Sequence, residues 1–425
     1  MEAAPQFRKP IASPRYLIWA LLLLLALLEF YQINYGLSSA LTFAVIGVAA
    51  IFILIFPRTV LILRGEYEVL IFMMLWLSYA LYSYVWAQDR LMALDYAILI
   101  FRYLCVFMIF SAALRDPRLL GKMHLFFVGI LVLYLLTAVW EMATWNHLPT
   151  SRMYGRNHFA PTGPFYGENI LAAFMLLLLP FLMFLPKLYR KPWVKILCGG
   201  LVLLFMLVIV IQGARIAMLA ATLAVLWVYL FYSSARTKTI GVVVILMAGF
   251  MFYQITPSGV KFARFMLSRE LRSFGSERET VTMSSLKIRK QLFVETFDLA
   301  SSTALMGVGG GNFEHYMNTD REYRTAGIIN AHNWLLEILG NFGVIILMGF
   351  LYIYIKWLYM LWRLYMKSRG RERYLYLMYL MSLLLFIASS ALPSSIRWNH
   401  LIWIYFAAIN AVCHARQPLI EDTNA

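Results

Sequence analysis

Two stretches in the last third of the chain decide its fold: GVGGGNFEHY (Gly307–Tyr316) and AHNWLLEILGNFG (Ala331–Gly343). Clustered glycines, a histidine and an asparagine interrupt an otherwise apolar sequence there. His332 is therefore the first candidate for a residue that takes part in chemistry. The rest of the chain is expected to be a membrane scaffold that holds arginines opposite this histidine.

The second stretch has the pattern of a short helix that leads into an apolar run. It begins near His332 or Asn333 and ends at Gly340 or Gly343, where the next span follows. A histidine at a helix N-terminus feels the positive end of the helix dipole, and nearby arginines lower its proton affinity further. A neutral imidazole is what a general base requires. The alternative is that the His-Asn pair only caps the helix.

The composition is that of an integral membrane protein. Of the 425 residues, 62% are hydrophobic and 14% are charged, whereas soluble proteins carry about 25% charged residues. The formal net charge is +16, but basic residues of membrane proteins collect in cytoplasmic loops, so no nucleic-acid partner is expected. The three cysteines lie within or beside apolar runs and suggest neither a disulfide framework nor a metal site.

About twelve apolar runs are long enough to span a membrane, and each must be a helix to satisfy its backbone in lipid. In chain order they are Tyr16–Ile33, Leu37–Phe56, Val69–Ala87, Met92–Leu114, Met123–Trp145, Asn169–Tyr189, Trp193–Gln212, Ala214–Ser233, Thr239–Thr256, Val344–Trp362, Tyr374–Leu392 and Leu401–Ala415. We predict an all-α, polytopic fold in which residues 1–425 form a single membrane domain.

The orientation follows from the lysines and arginines of alternate connections, which belong on the cytoplasmic side together with both termini. These residues are Arg58, Arg64, Arg115, Arg118, Lys122, Lys187, Arg190, Lys191, Lys195, Arg236, Lys238, Arg363, Lys367, Arg369, Arg371 and Arg373. Two basic loops on the opposite face depart from this pattern. One is Asn146–Glu168 and the other is the large loop 257–333, expected to be periplasmic.

The large loop is expected to contain two lateral helices that lie on the membrane surface. Lys261–Phe274 and Ser284–Ser302 both place apolar residues at loosely helical spacing between basic ones. The arginine density on this face calls for an anionic partner, such as a lipid head group or a phosphate-bearing substrate.

Five arginines are candidates for phosphate binding, because a guanidinium clamps phosphate oxygens in a bidentate way. Arg215 stands at the junction of two long apolar runs, where a charge needs a partner or a polar cavity. The others are Arg152, Arg156, Arg264 and Arg289. The alternatives are snorkelling to head groups for Arg215 and ordinary loop solvation for the rest.

The glycine cluster GVGGGNF favours a tight turn over a phosphate cradle, because no GK[ST] follows it and no strand precedes it. The sequence has no HExxH and no clustered Cys and His residues, so neither a metal nor a cofactor is predicted.

Three segments resemble the O-antigen ligase and polymerase superfamily of bacterial envelope enzymes. PTGPFYGENILAAFMLLLLP resembles a Gly-x-Phe-x-x-x-Asn segment through Gly163, Phe165 and Asn169, with Glu168 where proline is usual. QGARIAMLAATL resembles a span-opening arginine segment, with Ala214 where serine is usual. MGVGGGNF followed by AHNWLLEILGNFGVIILMGF resembles the glycine turn, the His-Asn pair and the glycine before the next span; GVII lacks a second glycine of that motif.

The resemblance implies a membrane glycosyltransferase of the GT-C type in the bacterial inner membrane, with its site facing the periplasm. Such enzymes move a glycan from undecaprenyl pyrophosphate to a hydroxyl, without a nucleotide sugar or a required metal. By this resemblance His332 activates the acceptor, and Arg215 and Arg289 bind the pyrophosphate. The wider substrate-binding set is Arg152, Arg156, Arg264, Asn169 and Asn333.

The acceptor stays open between members of this superfamily. A ligase, which passes the glycan to lipid A-core, is the first expectation; a polymerase of O-antigen or exopolysaccharide repeats is the second. A lipid or polysaccharide transporter, with arginines along its path and no bond made, is the alternative from another class. Membrane lipids are expected partners in each case.

Overall fold

The computed structural model describes residues 67–114, 117–233, 285–319, 328–392 and 400–415, together with Gly47 and Leu419. Every regular element in these ranges is a helix. Eight helices of the described residues are long and apolar enough to cross a membrane, and Leu401–Cys413 is a shorter apolar helix. The prediction of an all-α, polytopic membrane protein is confirmed. The predicted spans Tyr16–Ile33, Leu37–Phe56 and Thr239–Thr256, and the lateral helix Lys261–Phe274, lie outside the described residues.

The helices are labelled in chain order. They are α1 Tyr67–Tyr82, α2 Arg90–Ala113, α3 Pro117–Leu120, α4 Met123–Thr144, α5 Glu168–Tyr189, α6 Pro192–Gln212, α7 Arg215–Tyr232, α8 Ser285–Ser302, α9 Asn312–Thr319, α10 Trp334–Lys367, α11 Gly370–Ser390 and α12 His400–Cys413, with a short 3-10 turn at Ser83–Val85 between α1 and α2.

Helix α5 is the centre of the bundle. It packs against α4, α6, α7 and α11, and apolar side chains all around it are buried, as expected for a helix that is hydrophobic on every face. Two serines of α11 tie it to α5: Ser382 Oγ donates to the Leu177 carbonyl at 2.5 Å, and Ser389 Oγ donates to the Ala173 carbonyl at 2.8 Å. Such interhelical bonds stabilise helix pairs where lipid offers no partner.

The helix ends fall into two groups at opposite ends of the bundle. At one, which we call the basic end, Lys187 Nζ donates to the Tyr232 carbonyl at 2.5 Å, and the Tyr365 hydroxyl lies 2.8 Å from that of Tyr232. Arg373 also donates to Tyr365 at 3.1 Å. At the other, which we call the site end, Gln212 Nε2 donates to the Pro161 carbonyl at 3.0 Å, so the loop between α4 and α5 meets the junction of α6 and α7.

Helix α10 is broken at Gly343, where φ is 76° and ψ is −175°. The break produces the short helix predicted from the sequence, residues 334–342, followed by the long span. Residues 305–309 supply the hydrogen bonds missing at the break. Val308 N–H donates to the Gly340 carbonyl, Gly309 N–H donates to the Asn341 carbonyl, and Val344 N–H donates to the Leu305 carbonyl, each at 2.9 Å. We call this three-bond contact the clasp.

The glycine turn also fixes the clasp to α1 and α2. Gly310 N–H donates to Ser83 Oγ at 3.1 Å. Asn312 exchanges two bonds with the backbone of Asp89: its Oδ1 accepts from the Asp89 N–H at 2.7 Å, and its Nδ2 donates to the Asp89 carbonyl at 3.0 Å. A Cβ on Gly311 would lie 2.5 Å from Met92 Cγ, so only glycine allows this close approach.

Helix α8, Ser285–Ser302, confirms the helix predicted for Ser284–Ser302 over the described residues. Leu292, Thr296 and Ala300 are buried, and the helix packs against α10. Phe293 and Phe297 are instead 50% and 43% exposed, with their ring centroids 4.7 Å apart. The physical reason is that α8 has a protein partner, so the small and aliphatic residues take that face and the aromatic pair points away from it.

We predict that Gly343→Ala destabilises the protein, because a Cβ at this position would lie 2.3 Å from the Leu305 carbonyl oxygen and the φ is left-handed. The expected loss is at least about 2 kcal/mol, seen as a lower thermal unfolding temperature in detergent. Gly200→Ala in α6 is the matched control, since nothing lies within 4 Å of its Cβ. That control should leave stability unchanged or raise it by about 0.5–1 kcal/mol. Equal unfolding temperatures of the two variants would contradict the close packing at the clasp.

Candidate active site

His332 lies at the start of the first half of α10 in a left-handed backbone conformation, with φ 47°. The residue that caps the helix is Asn333, whose Oδ1 accepts from the N–H groups of Leu335 at 2.9 Å and Leu336 at 3.3 Å. Of the His-Asn pair, Asn333 therefore caps the helix, and the imidazole of His332 does not. Left-handed residues other than glycine are uncommon and cluster at functional sites.

The imidazole of His332 is held neutral. Burial and the charges of Arg289 and Arg152 together lower the pKa of His332 from 6.5 to about 4, with burial the largest cause. The ring is thus almost entirely neutral at pH 7 and can accept a proton. Two of the predicted arginines act on this imidazole although they are distant from it in the chain. Arg289 lies in α8, and Arg152 lies before α5.

Arg289 reaches this position from α8. Its Nη1 donates to the carbonyl of Ala391, the residue after α11, at 3.1 Å. Burial lowers the pKa of Arg289, but a guanidinium stays protonated in proteins. Among the described residues, the bond to Ala391 uses one of its five N–H donors, and the charge of this half-buried cation acts on His332.

Arg152 reaches His332 from the loop between α4 and α5. Its Nη2 forms an ion pair with Glu168 Oε1 at 2.5 Å, and its backbone N–H donates to the Tyr166 carbonyl at 3.0 Å. The side chain of Arg152 is 44% exposed and that of Glu168 is 19% exposed. One arginine of the site is therefore charge-compensated by Glu168, a residue the sequence analysis noted only as a departure from proline.

This loop is anchored by Glu141, which the sequence analysis did not select. Glu141 is fully buried near the end of α4, and its Oε2 accepts from the backbone N–H groups of Thr162 at 2.8 Å and Gly163 at 2.7 Å. His147 Nδ1 lies 3.2 Å from Glu141 Oε1, and its Nε2 donates to the His158 carbonyl at 2.8 Å. The sequence does indicate Glu141, because a single carboxylate within an apolar run needs a hydrogen-bonding or charged partner.

The Gly-x-Phe-x-x-x-Asn motif is part of the same anchor. Gly163 adopts φ 57° while its N–H binds Glu141, and Phe165 stacks on Phe174 of α5 with ring centroids 5.0 Å apart. Asn169 is the second residue of α5 and is half-buried. The motif thus folds the loop back over the start of α5, where Arg152 meets Glu168.

The remaining predicted residues are distributed as follows. Arg215 is the exposed first residue of α7, three positions after Gln212, and lies at the site end. Arg156 is exposed in the loop that carries Arg152. Arg264 lies outside the described residues. The charges that act on His332 are those of Arg289 and Arg152, so the roles of Arg215, Arg156, Asn169 and Asn333 in substrate binding stay predictions.

The glycine turn is a structural turn, as the sequence favoured. The N–H groups of Gly307, Val308, Gly309 and Gly310 donate to Thr303 Oγ1, the Gly340 carbonyl, the Asn341 carbonyl and Ser83 Oγ respectively. A phosphate cradle requires backbone N–H groups that point at the ligand. These four are used within the protein, so the glycines support the site without binding an anion.

An apolar pocket lies beside the polar site. It is a small, open recess, and Trp334, two residues after His332, is part of its wall. The other lining residues come from α5, α11 and α12 and are Ala173, Phe174, Leu177, Phe386, Ser389, Ser390 and Ile402. The site end therefore combines cations, a neutral imidazole and an apolar recess, which suits an amphiphilic ligand with an anionic head.

The fold and this site define a polytopic membrane protein with a polar centre at one end of its helix bundle. The family model described as O-Antigen ligase matches residues 199–351, a range that contains Arg215, Arg289, His332 and the clasp. The chain is also 25% identical over 363 residues to the teichuronic acid biosynthesis protein TuaE of Bacillus subtilis (strain 168), covering 82% of this chain and 73% of that protein.

Both matches agree with the resemblance seen in the sequence: the chain is similar to the O-antigen ligase superfamily. That similarity supports a ligase-like or polymerase-like membrane enzyme.

We predict that Arg289→Gln raises the pKa of His332, because it removes a nearby positive charge while burial continues to disfavour the imidazolium. Titration of histidine ¹⁵N signals in the purified protein measures the change. Lys290→Ala, an exposed neighbour on α8, is the matched control and should leave the pKa of His332 at about 4. An unchanged titration in the Arg289 variant would contradict the proximity of the two groups.

Proposed function

We propose that the protein transfers a glycan from undecaprenyl pyrophosphate to a hydroxyl of an acceptor glycan, with His332 as the general base. The observation that carries this proposal is a buried, neutral imidazole on which the charges of Arg289 and Arg152 converge. A base of this kind beside cations suits a reaction in which a hydroxyl loses a proton while an anionic group leaves.

In the proposed step, the acceptor oxygen attacks the anomeric carbon of the donor glycan. The new C–O bond forms as the bond between that carbon and the pyrophosphate oxygen breaks, and the hydroxyl proton passes to His332. Arg289, with Arg215 at the same end of the bundle, binds the pyrophosphate and stabilises the charge that develops on it as it leaves.

Donor binding strengthens the base. A base with a pKa of about 4 is weak toward a sugar hydroxyl, because general-base catalysis works best when the pKa lies near the working pH. The negative charges of a bound pyrophosphate offset the charge of Arg289 and so raise the proton affinity of His332. The imidazole therefore becomes an effective base when the donor is in place.

The orientation follows from the charge of the two ends. The links at the basic end contain Lys187, Arg190, Lys191, Arg369 and Arg371, and short basic loops stay in the cytoplasm. The site end then faces the periplasm of the bacterial inner membrane, where lipid-linked glycans are presented to their acceptors.

Two acceptors are compared within this proposal. Lipid A-core corresponds to a ligase and remains the first choice on architecture. A second lipid-linked glycan corresponds to a polymerase, and the similarity to a teichuronic acid biosynthesis protein is compatible with that alternative. Purified protein supplied with the lipid-linked donor and each acceptor separates the two by product size: elongated core for a ligase, a lengthened polymer for a polymerase.

We predict that His332→Ala lowers the rate of transfer by about 10²–10⁴-fold, the usual contribution of a general base. His315→Ala is the matched control, because His315 is an exposed histidine of α9, and it should retain wild-type activity. Both variants should fold and insert into the membrane normally. Full transfer activity of the His332 variant would contradict the general-base role, whereas a wild type that forms no glycosidic bond would favour the transporter alternative.

We predict that kcat/KM and kcat fall at different pH values on the acid side. The kcat/KM limb reports the donor-free enzyme and should fall near the pKa of about 4. The kcat limb reports the enzyme with substrate bound and should lie at higher pH, because the bound anion raises the pKa of His332. Rates measured between pH 4 and pH 8 test this difference. Identical limbs would show that the donor does not bind beside His332.

A further inference from the structure

Glu168 occupies a position where the backbone does not dictate the residue. It is the first residue of α5 and follows Gly167, whose extended conformation has φ −149° and ψ 159°. Proline is favoured at such a position because the first N–H of a helix has no partner within it, and an acidic residue is favoured by the helix dipole. Proline and glutamate therefore both fit this helix start, and of the two only glutamate brings a carboxylate to it.

The two oxygens of Glu168 differ in their surroundings. Oε1 is paired with Arg152 Nη2 at 2.5 Å. Oε2 is buried and has no hydrogen-bond partner among the described residues. A carboxylate accepts at both oxygens, and a buried acceptor without a donor is unfavourable. A second acceptor in the same condition is Asn330 Oδ1, two residues before His332. The described residues at and near the site thus include two buried acceptors without a donor, as well as cations.

These acceptors call for a ligand that donates hydrogen bonds. A pyrophosphate offers only acceptor oxygens and negative charge, so it is repelled from Glu168 and is drawn to Arg289, which has no carboxylate partner in the described contacts. A sugar hydroxyl donates one bond and carries no charge. Because the charge of Arg152 acts on His332 and Arg152 is bound to Glu168, the carboxylate stands in the same site as the base.

We infer that Glu168 is a specificity-determining residue whose Oε2 accepts a hydrogen bond from a hydroxyl of the acceptor glycan. This inference rests on the proposed transfer reaction. It assigns the donor and the acceptor to different sides of the site. Arg289 marks the side of the pyrophosphate, while Glu168 and Arg152 mark the side of the acceptor sugar, with His332 between them.

The test compares Glu168→Pro and Glu168→Gln with wild type in the full chain, using the undecaprenyl-pyrophosphate-linked glycan and whichever of the two acceptors the wild type elongates. The proline variant keeps a residue that suits a helix start and removes the carboxylate. We expect it to raise the KM for the acceptor by about tenfold or more, the effect of losing a bond to a charged group, with the donor KM unchanged. Glutamine, which retains one acceptor oxygen, should give a smaller increase.

Arg152→Ala, alone and combined with Glu168→Pro, separates binding from positioning. If Glu168 binds the acceptor directly, the double variant has a higher acceptor KM than Arg152→Ala alone. An equal acceptor KM in those two variants would reduce Glu168 to a support for Arg152 and overturn the inference, as would an increase confined to the donor KM. A wild type that elongates neither acceptor would instead overturn the proposed function, and this inference with it.

Discussion

Three backbone hydrogen bonds between residues 305–309 and the break in α10 hold the candidate site together. A helix that turns at Gly343 leaves carbonyl and N–H groups unpaired, and in a membrane such groups have no water to bind. The clasp satisfies them and at the same time fixes the direction of residues 334–342. The close packing of Gly307 against Asn341 and Gly343 leaves no room for side chains, which explains why glycines are concentrated there.

The direction of that half-helix sets the electrostatics of the site. It places His332 where α8 brings Arg289 and the loop after α4 brings Arg152. Burial and two positive charges keep the imidazole neutral, and an anionic substrate would reverse part of that effect. In the proposed reaction the base is therefore coupled to its donor by charge, and Glu168 balances the charge of Arg152.

The sequence was sufficient for the parts of the fold that depend on local pattern. Apolar runs of span length become helices wherever the structure describes them, and the start of α10 at Asn333 and its break at Gly343 follow from cap and glycine positions. The glycine turn was also recognised as a turn. These features depend on backbone conformation and hydropathy, which a short window of residues determines.

The contacts between distant segments could not be predicted in this way. Glu141 and His147 form a buried pair that secures the loop carrying Arg152, but nothing in the sequence says that Thr162 and Gly163 return to Glu141. Likewise, the exposed Phe293 and Phe297 reflect the packing of α8 on α10, which the helical pattern of α8 does not reveal. The pairing of Arg152 with Glu168 depends on both the loop and the start of α5.

The most direct measurement is a cryo-electron microscopy structure of the full chain in a lipid nanodisc with the lipid-linked pyrophosphate donor bound. The account predicts pyrophosphate density against Arg289 and next to His332, with α10 turned at Gly343 and clasped by residues 305–309. Density for the donor at the basic end, or a His332 ring that faces away from both Arg289 and Arg152, would contradict it.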